Sequence, residues 1–532
     1  MPEQSKVFLC VARITCIGML GCSCAMAQES VNDAPNPSPD NTPGVPTGWR
    51  VTPSLDLATR WTTNARLSAT DKQQDLELRV TPGVTVAGRS GSLVGSLHLA
   101  WENSVYMHTS DLNRSTLYAN GSGTLDLYER RLFLDGSVDM SRQRSSIFGT
   151  SPSTGLYDPN SQTMLRTYSL SPYYVIQAPG DIRGEARYRV TYSNSSDNIV
   201  NNNLRHDVSF SLGNSLNPMP FGWDFSAAYS VTDYQSGQNA SISSGRFTGL
   251  YAIDPLFRLK GIGGYERNDF FSSSERNKII YGGGFDWTPS PRTHAYGQTE
   301  RRFFGNGYDY GLSWRAARSG ITGRLVRDVT TTSSTVDANG LQNLYLAYLL
   351  SVSNTSNLAD LLTKMTPEQK SQADAAWNAR GLPSPVAGQA YISQAFFLER
   401  RAELAGSWNG ARNSFALNIY RSERERLTDP AMLAPGDDLA SFEKTRDTGG
   451  GLYATHALSP LTNLSLGLSL TRSLGLGGIY ADQETRYKNI SLAANTSLGV
   501  RTIGGLIYQY NTSRGVSSFI ENSLTANIGM RF

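Results

Sequence analysis

Five histidines, His98, His108, His206, His294 and His456, are scattered through the chain without the i, i+4 or short-loop spacing that a metal site needs. No Gly-x-Ser-x-Gly elbow, phosphate-cradling loop or dinucleotide fingerprint occurs. All four cysteines, Cys10, Cys16, Cys22 and Cys24, fall in the first 24 residues. The rest of the chain therefore has no thiol for a disulfide, a thiolate zinc site or a cysteine nucleophile. The sequence implies no metal, no cofactor and no catalytic residue. The one catalytic route left open is a Ser/His or Asp/His pair assembled from separate strands, for which His294 with a neighbouring carboxylate is the candidate. The polar groups that do recur in phase are Asp286, His294, Glu300, Arg302, Arg315, Arg324, Glu399, Arg401 and Glu403. If their segments are strands 12 to 16, they share one face as a mixed-charge wall. Such a wall either satisfies its own inward charges or lines a lumen that selects a charged or hydroxylated polymer. Tyr296 and Tyr420 offer stacking surfaces for sugars on that face.

The elements that must position these groups are β-strands. From Trp49 to Phe532 apolar and polar residues alternate in segments of about 9 to 15 residues, the repeated signature of membrane-spanning strands. Ile182, Gly184, Ala186, Tyr188 and Val190 alternate with Arg183, Glu185, Arg187, Arg189 and Thr191, and Ile279, Tyr281, Gly283, Phe285 and Trp287 take one face of another segment. The spacing predicts an all-β chain, a single antiparallel transmembrane β-barrel of about 22 strands, within a range of about 20 to 24. Short links such as Gly88–Gly91, Ala178–Asp181 and Thr288–Pro291 alternate with long polar ones at 144–163, 195–202, 235–241 and 425–442. An even strand number returns both ends to the periplasmic side. Leu524, Ile528, Met530 and the final Phe532 alternate with polar or small residues, in the manner of an assembly signal for the outer-membrane barrel machinery.

One stretch breaks the alternation. Residues 341–390 read as a helical insert in an outer loop, with Thr366, Pro367 and Gln369 as a capping box and Gly381 as a stop. At the other end, Lys6 and Arg13 precede an apolar run closing on Ala25-Met26-Ala27, so residues 1–27 form a cleavable signal peptide. Met19-Leu20-Gly21-Cys22 offers a competing lipoprotein reading. Residues 28–48 are a Pro-rich leader of a composition that does not fold, too short for a plug domain, and 49–532 form the barrel. Beyond residue 27 no run of about 18 apolar residues exists, so no membrane-spanning helix is expected. A formal net charge of +3 gives no footprint for nucleic acid. Hydrophobic content of 39% with Gly 50 and Tyr 26 suits strands in the cell outer membrane, with outer-membrane lipid as the surrounding partner.

Residues 286–318, with the Trp287-Thr288-Pro289-Ser290-Pro291-Arg292-Thr293 turn and the Arg302-Phe303-Phe304-Gly305 hairpin, resemble outer-membrane β-barrel proteins associated with PEP-CTERM/exosortase and exopolysaccharide systems. The resemblance continues at Phe397–Arg401, at Tyr420–Arg426, at Pro53 and at Thr63-Asn64. It implies a barrel serving a polysaccharide or surface-sorting system and brings no catalytic residue. The expectation is a pore for export of an exopolysaccharide, narrowed by the 341–390 insert, with exopolysaccharide and periplasmic export components as partners. The alternatives are a non-conducting anchoring barrel and, third, a barrel enzyme. In the same reading Trp287 anchors at the membrane interface beside Pro289 and Pro291, and Phe303 and Phe304 join the outer aromatic girdle.

Overall fold

The computed structural model describes residues 48–150, 155–195, 202–214, 220–234, 239–269, 277–330, 391–478 and 482–532. The expected signal peptide, nearly all of the leader and the 341–390 insert lie outside the described residues. The alternation seen in the sequence becomes 22 strands, numbered β1 to β22 in chain order, in one antiparallel sheet. Each strand pairs with the next, and β1 (Gly48–Thr62) also pairs with β22 (Phe519–Arg531), from Ser54↔Arg531 to Thr62↔Ser523. The sheet is closed, so no edge strand is left with unpaired amides, which is the condition for crossing lipid with strands.

Period-two alternation assigns the two faces. In β12 (Asn277–Ser290) Ile279, Tyr281 and Trp287 are exposed on the outer wall while Ile280 between them is fully buried. In β20 (Glu484–Gly499) Ile490 and Leu492 face out, and the alternate Asn489 sits on the inner face beside Asn511 of β21 (Thr502–Gly515). In β22 Leu524 and Ile528 are exposed on the outer wall, Phe532 just past its end is exposed as well, and Ile528 and Met530 stand opposite Leu57 and Leu55 at the closing seam. Tight turns at one end, such as Gly91-Ser92 between β2 (Asp75–Ser90) and β3 (Leu93–Tyr106), mark the periplasmic side. The longer connections lie at the other end, which is the outer mouth.

On that outer side the ladder between β4 (Arg114–Tyr128) and β5 (Leu132–Arg144) ends early. The two strands pair only as far as Ala119↔Met140. β5 stays paired with β6 (Gln162–Ala178) out to Arg144↔Gln162. The outer tip of the β5–β6 hairpin therefore parts from β4. The fork holds polar groups that lipid would not accept: Glu102 takes Arg114 at 3.2 Å and Arg142 at 3.4 Å, and both guanidinium groups stack on Tyr157, at 4.4 and 4.9 Å.

Candidate functional site: a clasp across the outer mouth

Arg144, the last residue of β5, donates from Nη2 to Asp447 Oδ2 at 3.3 Å. Asp447 lies on β18 (Lys444–Ala457), and eight strands separate β5 from β18 by the shorter way round the wall. At about 4.8 Å per strand that path is roughly 43 Å long, so the contact runs across the mouth and not along the wall. Both side chains are buried, at 4% and 5% exposure. Ser473 Oγ donates to the second Asp447 oxygen at 2.9 Å, which fixes the carboxylate that Arg144 meets.

Three outer connections gather round this pair. The one after β5 brings Ser146, Ile147 and Phe148; the segment before β16 (Phe397–Asn409) brings 391–396; the one after β17 (Asn413–Arg426) brings a short helix α1 (Asp438–Ser441). Tyr391 forms a parallel bridge with Arg144, and the Ile392 amide donates to the Arg144 carbonyl at 2.9 Å. The Tyr391 hydroxyl meets Thr445 Oγ1 at 2.7 Å on the β18 side. Ile147, Phe148, Tyr391 and Phe442 form a small apolar core, in which the Phe148 and Phe442 rings stand 5.5 Å apart edge to face.

Two adjacent carboxyls tie the connections together. Asp437 accepts from the Gln394 amide at 2.7 Å and from Ser393 Oγ at 3.0 Å, while also capping α1 through the Leu439 amide at 2.9 Å. Asp438 accepts from the Ile147 amide at 2.5 Å and from Ser146 Oγ at 3.1 Å. Burial is the largest influence on both and pushes Asp437 up to about 6 and Asp438 up to about 7; the donors pull the other way, and at Asp438 its neighbour Asp437 adds to the rise. At its far end the 391–396 segment is held by Tyr234, whose hydroxyl donates to the Gln394 carbonyl at 2.8 Å, and by packing of Phe396 on Ala240 and Phe303.

The polar residues expected from the sequence lie elsewhere on the wall, in separate pairs. His294 Nε2 meets Asp286 Oδ2 at 3.2 Å, Arg246 donates to Glu300 at 3.2 Å, Arg324 holds Asp309 at 2.9 Å, and Arg401 reaches Glu403 at 2.8 Å. Arg302 is fastened to Glu266 at 2.8 Å and to Asp328. Arg315 stands opposite Gly320 near the periplasmic end of β14 (Gly305–Arg315). Only Glu399 approaches the clasp: it accepts from Ser422 Oγ at 2.8 Å and faces Arg424 Nε at 3.5 Å. Arg424 is itself sandwiched between the rings of Tyr391 and Phe397, at 4.7 and 4.8 Å. Tyr420 is buried, and Gly449 opposite leaves it room, since a Cβ there would stand 2.8 Å from the Tyr420 hydroxyl.

One expectation is corrected by this geometry. Phe303 is not a girdle residue: it is 5% exposed, drawn inward by Phe396 and Ala240. The long polar connection at 425–442 turns into the mouth through its buried Leu433, Ala434 and Leu439. The clasp residues Arg144, Asp437, Asp438, Asp447 and Tyr391 were not singled out by sequence. One signal was present: Leu134, Val138 and Met140 occupy the lipid-facing phase of β5, and the next residues in that phase are Arg142 and Arg144.

No protein-family model and no curated protein matches the sequence. Solved structures do. The FrpB iron transporter of Neisseria meningitidis matches with a TM-score of 0.50 and 10% identity, over 92% of this chain and 83% of that one. The siderophore receptor PirA of Pseudomonas aeruginosa matches at 0.46 and 9% identity over 92% and 81%, and the siderophore receptor PiuA of Acinetobacter baumannii at 0.44 and 9% over 92% and 82%. The FrpB barrel is named for iron, not for polysaccharide, and the expected role in exopolysaccharide export, with its exopolysaccharide and periplasmic export partners, is withdrawn accordingly. What the chain shares with them is the fold: a closed antiparallel barrel of 22 strands, of the outer-membrane kind.

Proposed function

We propose that this chain is an outer-membrane barrel for inward passage of a polar solute, held shut at its outer mouth by the clasp. The observation that carries the reading is the buried Arg144–Asp447 pair joining opposite walls. A barrel of this size has an interior too wide for its own side chains to fill, so what crosses its mouth decides what enters. The clasp stands at the outer end, where a solute arriving from outside meets it first. An exporter's cargo would reach it last. The inner wall is polar without being strongly of one sign, because Arg246, Arg302, Arg324 and Arg401 each have a carboxylate partner. The barrel of similar build from Neisseria meningitidis is an iron transporter, in keeping with passage of a small solute.

The test is uptake by whole cells. Labelled hydrophilic solutes, a ferric siderophore among them, are offered to cells lacking the gene and to cells with it restored. Restored accumulation of at least one solute by about tenfold is the expected outcome. Equal accumulation of every solute, with the protein folded in the outer membrane, overturns the reading.

A further inference from the structure

On the outer wall the lipid-facing positions of β20 run Glu484, Arg486, Lys488, Ile490 and Leu492 from the outer end inward. Charge gives way to exposed apolar side chains along a single strand face, so the change marks the upper boundary of the hydrocarbon. The neighbouring strands repeat it. Arg472 of β19 (Thr462–Leu476) stands above Leu470, and Arg514 of β21 above Tyr508.

The register sets these cations side by side. Arg472 is directly opposite Arg486, and Arg486 is directly opposite Arg514, so three guanidinium groups form a row across three adjacent strands. Like charges placed directly opposite each other destabilise a sheet. One carboxylate offsets the row: Glu484 accepts from Arg472 at 2.9 Å and from Arg486. Arg472 and Arg486 keep 52% and 61% of their side-chain surface exposed. Farther round the same side, Arg327 and Arg400 are also directly opposite each other. Four and five strands from β20 the other way round, on β2 and at the outer end of β3, the corresponding lipid-facing positions are apolar, with Leu78, Val105 and Met107 at least half exposed. The clustering of three cations in one row is therefore not repeated on β2 and β3.

We infer that this side of the barrel holds a multiply phosphorylated lipid of the outer leaflet. Its phosphate groups lie on the Arg472–Arg486–Arg514 row and its acyl chains on the apolar band of Leu470, Ile490 and Leu492. Arginine suits phosphate because its planar fork donates two parallel hydrogen bonds while keeping its charge. A second anionic partner removes the repulsion that the register builds in. The inference needs only that the barrel spans a membrane and is independent of the direction of transport.

The test uses the folded full chain in neutral detergent, with lipid retention read by native mass spectrometry. The probes are diphosphoryl lipid A, the same lipid stripped of both phosphates, and inorganic phosphate. The expected result is a single retained diphosphoryl lipid, favoured about tenfold over the stripped form. Replacing all three arginines by glutamine (Arg472→Gln, Arg486→Gln, Arg514→Gln) abolishes that preference, and replacing all three by lysine keeps most of it. Should the glutamine variant not fold, Lys488→Gln alone lowers retention about threefold. Equal retention of the stripped lipid, or undiminished retention in the folded glutamine or Lys488→Gln variants, overturns the inference. Inorganic phosphate bound in place of the lipid with the same arginine dependence also overturns it, in favour of a free-phosphate site.

Discussion

Replacing Arg144 by alanine opens the outer mouth. In planar bilayers the variant is expected to show long-lived open events where the parent chain is mostly closed. The change removes one member of a buried ion pair and leaves Asp447, 5% exposed, with Ser473 as its remaining partner among the described residues. Breaking a buried pair from one side costs on the order of 3 kcal/mol, which is a shift of about a hundredfold in the balance of closed and open mouths. The Ile392 amide still bonds the residue 144 carbonyl, because that contact is made by backbone, so the 391–396 segment is weakened on one count only. Exchanging the partners, Arg144→Asp with Asp447→Arg, restores part of the closure. An open probability unchanged in the single variant would show that the pair does not hold the mouth.

Opening is also expected to grow with pH. Asp437 and Asp438 are outside the strands, and burial raises them to about 6 and about 7. A carboxyl raised in the closed form binds its proton more tightly there than when hydrated. Its contribution to closure is therefore complete at low pH and is lost as pH rises through the raised value. At pH 5 both groups are neutral and the three connections stay interlocked. By pH 8 both are ionised side by side, facing Arg144 and Arg426, with Arg424, Tyr391 and Tyr234 close by. The open probability should rise about tenfold or more between pH 5 and 8. Asp437→Asn with Asp438→Asn should flatten the profile, because the amides keep an acceptor oxygen for Ile147 and Gln394 without titrating. A parent profile that is flat or falls with pH contradicts the assignment.

The wall was legible in the sequence and the mouth was not, for a physical reason. A strand crossing lipid must alternate, so Ile279, Tyr281 and Trp287 declare their face within a dozen residues, and 22 such segments could be counted. The same alternation put Asp286, His294, Glu300 and Arg302 in phase, and each has its partner on its own or a nearby strand. The clasp joins residues some 300 positions apart: Arg144 to Asp447, and Ile147 to Asp438. No periodicity encodes a contact between opposite walls. The local trace of it is a violation, Arg142 and Arg144 continuing the lipid-facing phase of Leu134, Val138 and Met140. It is resolved once the hairpin tip leaves β4. Phe303 misled in the opposite sense, because an aromatic pair at a hairpin tip suits an interfacial girdle equally well until Phe396 covers one ring.

The central claim is that the two walls meet across the outer mouth, and cross-linking tests it most directly. Beyond residue 24 the chain has no cysteine, so Arg144→Cys with Asp447→Cys introduces the only thiols in that part of the chain. A short bifunctional maleimide applied at pH 5 should link them rapidly within one chain, giving a species of altered gel mobility whose channel no longer opens when pH is raised. Failure to link, while each cysteine alone reacts readily with a monofunctional maleimide, would place the two residues on walls that never meet and would contradict the clasp.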